Sequence, residues 1–411
     1  MRAIIIDVLC KHGSTGTIAY GLYKYLNNNN SESIVCYGRG NTFPDDVNLF
    51  KISNKFEVFL HAVLARITGL QGFFSKKSTR RLKKIIEDFN PDIIYLLDIH
   101  GYYIHEKMLF NILSKKKIPT VYIMPDEYAF LGKCCFSGDC DKYLTKCFDC
   151  PKVKEYPKSL IFDQSTRIFE MKEEAYRNFD FLAFVSVPYN IQKAKESKLL
   201  SKQKLYAHNW GIDLENVYFP YKSKTIREKY NIPQDGKMIL AVAPFTDERK
   251  GIKKYFLKCA ELCKDEKIFF VNVGFNGDKA MCPNNFIPIE YIDKQSELAK
   301  IYSEADLFVI TSTADTMPLS ALMALGCGTP VCGFNISGIK YLKNSNHCRC
   351  VDLVEPGNIN DLIKIIKKIP IKDDQIKKYC RNYALKNYSD NSFYKELVVI
   401  GNELIKEKNT R

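Results

Sequence analysis

Three short segments carry residue types whose order suits the handling of a phosphorylated or hydroxyl-rich ligand. The first is Asp247-Glu248-Arg249-Lys250-Gly251. Two cations at the start of a helix oppose the positive end of its dipole. That local cost makes sense where an anion such as a diphosphate binds between them; the alternative is that both face water and pair with Asp247 and Glu248. The second segment is Ala314-Asp315-Thr316-Met317-Pro318-Leu319-Ser320. Pro318 suits the first position of a helix, where its missing amide is not needed. The amides after it, on Leu319 and Ser320, can hold a phosphate or sugar hydroxyls. Asp315 stands just before them, placed to accept hydroxyl hydrogens from a sugar; the alternative is a capping carboxylate with no ligand. The third segment is Gly13-Ser14-Thr15-Gly16, where glycines let backbone amides approach an anion or a sugar. It is not a Walker A loop, which ends in Gly-Lys-Ser/Thr, nor a full dinucleotide fingerprint. A tight turn without a ligand is the other reading.

A fourth group is made of cysteines. Cys134, Cys140, Cys147 and Cys150 lie within 17 residues and end in a Cys-x-x-Cys pair, a spacing that suits zinc. Four thiolates would close a tetrahedral site of structural type, with Cys135 as an alternative ligand; free or oxidisable thiols are the other reading. Asp139-Cys140-Asp141 falls inside this segment and not at a strand end, so no catalytic metal is expected. Other cysteines, such as Cys259, Cys263 and Cys332, read as small core residues.

These segments need a frame. The chain opens with Ala3-Ile4-Ile5-Ile6, an apolar run that reads as a buried strand. Glycines, a helical pattern through Ile18, Leu22 and Leu26, and a second strand over 33–37 follow. This rhythm is that of a parallel α/β sheet. Further strands are predicted over 92–97, 120–124 and 181–187. The pattern breaks over 133–155, which reads as an inserted loop. A linker over 213–222 separates a second half with the same rhythm: strands over 237–243, 268–274, 306–311 and 330–333, and helices over 250–263, 296–303 and 318–325. A last helix is predicted over 389–408, with Ser389 as its N-cap. The division is then a first domain over 1–212, a second domain over 213–385 and a terminal helix over 386–411. In open parallel sheets ligands sit at the carboxyl ends of the strands, which is where the three segments fall.

The chain has 411 residues, too many for one ordinary core. Its 46% hydrophobic and 26% charged residues are a globular balance. The net charge of +14 could serve nucleic acid, an anionic membrane or a phosphate-bearing ligand. No recognised nucleic-acid module is present, and no nucleic-acid partner is expected. Fifteen cysteines, an odd count, argue against a secreted disulfide scaffold. Asp7 interrupts the first apolar stretch, no small-residue cleavage site follows, and no run of about 18 apolar residues exists. A cytoplasmic protein is predicted. Residues 56–84 mix Phe59, Leu60, Val63, Leu64, Ile67, Phe73 and Phe74 with later basic residues. They read either as a surface for an anionic membrane or as a core-facing helix followed by a basic one.

At these residues the sequence resembles the retaining glycosyltransferases of family 4, which have the GT-B fold, and within it the transferases of colanic acid, O-antigen and capsular polysaccharide. The resemblance runs almost the full chain. It is carried by Gly13-Ser14-Thr15-Gly16, Gly72-Phe73-Phe74-Ser75-Lys76, His100-Gly101-Tyr102-Tyr103, Asp126 with Ala129-Phe130, Cys147-Phe148-Asp149-Cys150-Pro151, Gly211-Ile212-Asp213, Asp247-Glu248-Arg249-Lys250-Gly251 and Asp315-Thr316-Met317-Pro318 with Gly326-Cys327-Gly328-Thr329-Pro330-Val331. It implies two Rossmann-like domains facing each other across a cleft, with the donor held mainly by the second. Lys250, with Arg249 beside it, would bind the diphosphate of a nucleotide-sugar. Asp315, a position usually Glu, would contact the donor sugar, and the amides after Pro318 would hold sugar and phosphate. Gly13 to Gly16 would close over the donor, and the terminal helix would cross back to the first domain. Two positions depart from the pattern. Met323 stands where a second acid receives the ribose hydroxyls, and a thioether accepts hydrogen bonds poorly. Pro125 stands where a histidine is frequent, and Asp126 or Glu127 would take over that contact. The reaction implied is transfer of a sugar to a hydroxyl of a lipid-linked glycan, with retention and no metal, at the inner face of the cell membrane. The alternative is a non-catalytic relative that binds nucleotide or glycan.

Overall fold

The computed structural model describes residues 1–222, 224–264, 266–343 and 348–411. The chain divides into two compact units, Met1–His208 with Asn391–Arg411, and Asn209–Asp390.

The first unit is built on strands β1 (Arg2–Asp7), β2 (Glu32–Tyr37), β3 (Leu49–Lys51), β4 (Ile93–Leu96), β5 (Thr120–Ile123), β6 (Leu182–Ser186) and β7 (Lys204–Ala207), in the order β3-β2-β1-β4-β5-β6-β7. Every pairing is parallel. A parallel sheet is covered on both faces, so its central strands are apolar throughout. Ala3, Ile4, Ile5 and Ile6 are fully buried, as are Ile93, Ile94, Tyr95 and Leu96. The strand order turns back between β1 and β4, and the carboxyl ends there form the switch point of the sheet. Part of the terminal helix, Asp390–Thr410, belongs to this unit. The Tyr95 hydroxyl donates to the Leu397 carbonyl at 3.3 Å, and Lys204 pairs with Glu407.

The second unit carries β8 (Lys237–Val242), β9 (Ile268–Val273), β10 (Phe286–Ile289), β11 (Leu307–Ile310), β12 (Val331–Phe334) and β13 (Val351–Val354), in the order β10-β9-β8-β11-β12-β13, again all parallel. Its switch point lies between β8 and β11. The buried Asp306 holds the amino end of β11. It accepts from the Met238 amide at 2.8 Å and the Lys372 amide at 2.9 Å, and pairs with Arg227 at 2.6 Å. A carboxylate this deep is tolerated because each oxygen has a donor.

Many cysteines are core residues: Cys36, Cys259, Cys327 and Cys332 are fully buried, and all fifteen thiols are unpaired by disulfides. Burial pushes the thiols of Cys10, Cys259 and Cys327 up to about 12 from an ordinary 9.0. Below pH 9 folded and unfolded chains both keep these protons. Above it only the unfolded chain releases them, so stability falls as pH rises from about 9 towards 12. Denaturant unfolding at about pH 8 and about pH 10 should show this loss, and Cys259→Val should lose less than the parent. Equal slopes for the two proteins would contradict it.

Candidate functional site

In the second unit the carboxyl end of β8 runs into a turn of 3-10 helix, Glu248–Lys250. The Asp247 side chain accepts from the Arg249 amide at 3.0 Å and starts this turn. Gly251 ends it with φ of +67°, in the left-handed region. A Cβ at Gly251 would lie 2.3 Å from the Thr311 carbonyl oxygen, so glycine alone lets the turn lean on the end of β11. Two hydrogen bonds fix that approach. The Thr311 hydroxyl donates to the Lys250 carbonyl at 2.9 Å, and the Thr313 amide donates to the Arg249 carbonyl at 2.8 Å. The chain then continues through a π-helical turn, Ile252–Phe256, into the helix Leu257–Leu262.

This stapling brings the two sequence-predicted segments together. Lys250 Nζ lies 2.7 Å from Asp315 Oδ2, and Arg249 lies 3.7 Å from the same oxygen. The Arg249 guanidinium also donates to the Ala314 carbonyl at 2.9 Å and stands 3.9 Å from Asp247. The alternatives from the sequence hold only in part, since Arg249 keeps its contact with Asp247. Asp315 does not cap the helix, since its carboxylate faces Lys250, and Lys250 pairs with Asp315 rather than with Asp247 or Glu248. The side chain of Asp315 is 11% exposed, against 24% for Lys250 and 36% for Arg249. The carboxylate of Asp315 thus lies beneath two cations that solvent can reach.

The helix after this loop is Leu319–Gly326, with Pro318 as its N-cap instead of its first residue. Pro318 is buried, whereas Leu319, Ser320 and Met323 are half-buried. The helix's positive end therefore lies at the end of the same loop. The loop is held from behind: the Gly338 amide donates to the Asp315 carbonyl at 2.8 Å. Gly338 packs so closely that a Cβ would fall 1.5 Å from the Thr316 carbonyl oxygen.

In the first unit, Gly13-Ser14-Thr15-Gly16 is the first turn of the helix Gly13–Asn28, rather than a loop ahead of it. The Lys11 amide donates to the Gly16 carbonyl at 3.1 Å, Gly16 is buried, and Gly13 and Ser14 are exposed. Asp7, at the end of β1, accepts from the Asp98 amide at 3.0 Å. Burial, and then the charge of Asp98, push its carboxyl up to about 7.

Beside it is a cluster that the sequence reading passed over. Asp98 and His100 follow β4, Asp126 follows β5, and Cys135 comes from the cysteine-rich segment. His100 Nε2 lies 2.9 Å from Asp126 Oδ2, 3.2 Å from Asp98 Oδ1 and 3.7 Å from Cys135 Sγ. Burial pulls the imidazole down, but the charges of Asp98, Cys135 and Asp126 outweigh it and hold His100 well above its ordinary value. Burial likewise raises Asp126, and His100 reverses this to a net lowering. His100 had been visible only as part of a motif, and strand-end position was the signal that marks it. Asp126, expected beside a donor sugar, faces His100 here.

Cys134, Cys140, Cys147 and Cys150 line one cavity with Lys133, Lys142 and Phe148. Their sulfurs do not gather into a common ligand set. Cys134 and Cys150 share a hydrogen bond, and the Gly132 amide donates to Cys147 Sγ at 3.2 Å. Among the described residues, the one set of three metal-capable ligand atoms lying within 4.8 Å of one another is His100, Asp126 and Cys135.

The helix Lys55–Thr68 starts with a full capping box between Asn54 and Glu57 and ends at Gly69. It is not the core-facing helix that its composition allowed. Its buried residues are His61, Ala62 and Ala65, while Phe56, Phe59, Leu60 and Ile67 are exposed. Leu160, Ile161 and Phe162 are exposed beside its end, where the Leu160 amide donates to the Arg66 carbonyl at 2.7 Å. The next helix, Lys76–Phe89, exposes Lys76, Lys77, Arg80, Arg81, Lys83 and Lys84. No helix among the described residues is long and apolar enough to cross a membrane.

Residues 222–387 match the family model of glycosyl transferases group 1. WcaC of Escherichia coli K12, named for a glycosyl transferase role in colanic acid biosynthesis, is 21% identical over 345 residues, covering 80% of this chain and 82% of that one. The O-antigen biosynthesis glycosyltransferase WclY of Escherichia coli is 29% identical over 165 residues, 38% of this chain and 45% of that one. An N,N'-diacetylbacillosaminyl-diphospho-undecaprenol alpha-1,3-N-acetylgalactosaminyltransferase of Campylobacter jejuni is 27% identical over 127 residues, 29% of this chain and 33% of that one. Among solved structures, Anabaena HepE in complex with UDP superimposes with a TM-score of 0.67 at 14% identity, covering all of both chains. Residues 222–387 thus match the group 1 glycosyl transferase model, the chain is similar to a colanic-acid transferase over most of its length and to an O-antigen transferase over part of it, and the fold is GT-B.

The packing behind Asp315 gives a direct test. Gly338→Ala must push the 314–317 loop away, and such overpacking should cost about 1–3 kcal/mol in denaturant unfolding. An unchanged midpoint would mean that the loop is not held there.

Proposed function

We propose that this chain is a hexosyltransferase that moves a sugar from a nucleotide-sugar donor to a hydroxyl of a lipid-linked glycan, with retention, in the synthesis of a surface polysaccharide. The observation that carries this reading is the placement of Arg249 and Lys250 over Asp315 at the switch point of the second unit, inside the group 1 domain.

The chemistry follows from charge. As the bond from the anomeric carbon to the diphosphate breaks, negative charge grows on the leaving oxygens. Cations and helix-terminal amides already fixed in place stabilise that charge without reorganising, which is how a preorganised site lowers a barrier. Lys250 and Arg249 supply the cations, and the helix starting at Leu319 supplies the amides. Asp315 accepts from hydroxyls of the donor sugar and holds Lys250 in position. The acceptor hydroxyl oxygen then joins the carbon on the face that the diphosphate leaves, and its proton passes to the departing diphosphate oxygen. This scheme needs no metal at the diphosphate.

A lipid-linked acceptor is supported by two observations. One relative is named for transfer onto an undecaprenol-diphosphate-linked sugar, and the first unit exposes Phe56, Phe59, Leu60 and Ile67 next to a strongly basic helix. An apolar patch beside lysines and arginines suits the surface of an anionic membrane, here the cytoplasmic face. A second reading, a nucleotide- or glycan-binding partner without turnover, is favoured by Met323, whose thioether cannot hold two ribose hydroxyls as a carboxylate would.

Turnover separates the two readings. Incubated with nucleotide-sugars and lipid-diphosphate-linked acceptors, the wild type should form product from one donor, and Lys250→Ala should lower kcat/KM by about 10²–10³-fold. Nucleotide binding without product from any donor would favour the partner reading. Sedimentation with anionic vesicles should fall when Phe59 and Phe162 are both changed to Ser; unchanged sedimentation would remove the membrane contact.

A further inference from the structure

Three side chains of the first unit converge around one imidazole nitrogen. His100 and Cys135 are buried, Asp126 is half-buried, and all three ligand atoms lie within 4.8 Å of one another. They come from three different places: the segment after β4, the end of β5, and the cysteine-rich insertion. One imidazole nitrogen, Nε2, faces the Asp126 carboxylate at 2.9 Å, the Asp98 carboxylate at 3.2 Å and the Cys135 sulfur at 3.7 Å. A single N–H can be given to one acceptor only. Each carboxylate has a second donor, the Tyr128 amide on Asp126 and the His100 amide on Asp98, so the ligand atoms are held in place from behind.

We propose that His100, Asp126 and Cys135 form a binding site for a divalent cation of the zinc class. The ligand set is a borderline nitrogen, a hard oxygen and a soft sulfur, a mixture that suits zinc or cobalt rather than magnesium or calcium. The spacing fits. From the usual zinc–ligand lengths, tetrahedral ligands stand roughly 3.3 Å apart for nitrogen and oxygen and roughly 3.6 Å for nitrogen and sulfur. The observed separations are 2.9 Å and 3.7 Å.

The surroundings are those of a built site. Asp126 Oδ1 accepts from the Tyr128 amide at 2.9 Å, which leaves Oδ2 turned to His100. The Tyr156 hydroxyl lies 3.4 Å from His100 Nδ1 and orients the ring, as outer partners of metal-bound histidines do. The Glu127 amide donates to the Cys135 carbonyl at 3.0 Å, and Glu127 in turn accepts from the Ser137 amide and hydroxyl at 2.8 and 2.6 Å. These bonds fix the sulfur's backbone against Asp126. Three protein ligands leave a fourth position for water or for the Asp98 carboxylate. The site is built from residues of the first unit alone and does not rest on the proposed transfer reaction.

Cobalt tests this on the full chain. Metal-stripped protein carrying Cys140→Ser and Cys147→Ser, which disable the neighbouring thiols, is titrated with cobalt(II). The expected result is one equivalent bound, with a thiolate-to-cobalt charge-transfer band in the near ultraviolet. Adding Cys135→Ser should abolish the band while the protein still melts cooperatively, and His100→Ala should lose the bound equivalent. Zinc should displace the cobalt and raise the melting temperature only where Cys135 and His100 are present. A band that survives Cys135→Ser, or no band in the parent, would overturn the proposal.

Discussion

The ion pair between Lys250 and Asp315 joins the carboxyl ends of two strands, β8 and β11, that are neighbours in the sheet but 65 residues apart in sequence. It can form only because the backbones behind it are already locked. Gly251 lets the first loop lean against Thr311, two hydrogen bonds hold it there, and Gly338 supports Asp315 from the other side. A buried carboxylate tolerates this place because a cation faces it. Arg249, held by Asp247, Asp315 and the Ala314 carbonyl, lies beside the pair with its guanidinium partly exposed. Sheet order decides where this happens: the switch point is the place where the crossovers to either side diverge and leave an open space at the strand ends.

The first unit meets the same requirement with different groups. Its strand ends present carboxylates, Asp98 and Asp126 around one histidine with Asp7 behind Asp98, instead of cations around one carboxylate. The cysteine-rich insertion delivers Cys135 to this cluster, tied down through Glu127, which accepts from Ser137 and pairs with Lys193 at 2.8 Å. The two units thus share an architecture while the chemistry at their strand ends is opposite in sign.

What the sequence reveals follows from how much each element depends on distant partners. β1, β4, β5, β6 and β8 read clearly because central parallel strands must be apolar on both faces. The edge strands β3 and β7 are three and four residues long and carry no such run, so nothing in their composition marks them. Arg249, Lys250 and Asp315 were legible as loop residues of unusual charge, yet which cation would meet the carboxylate depends on the contact of Gly251 with Thr311, which no local pattern states. The helix Lys55–Thr68 shows the limit of apolar counting. Its phenylalanines suggested a core face, while the face actually buried is small, made of His61, Ala62 and Ala65. The four cysteines drew attention by their spacing, and Cys135, without a spacing of its own, is the one that joins a cluster.

The central claim is that the cations above Asp315 seat the diphosphate of a nucleotide-sugar. Calorimetric titration of the wild type and Lys250→Ala with UDP, GDP, ADP and dTDP tests it most directly. The account predicts that one nucleotide binds the wild type and that the variant binds it at least about tenfold more weakly, the effect of losing a contact of about 1.4 kcal/mol to a charged group. Equal affinity for wild type and variant would contradict it.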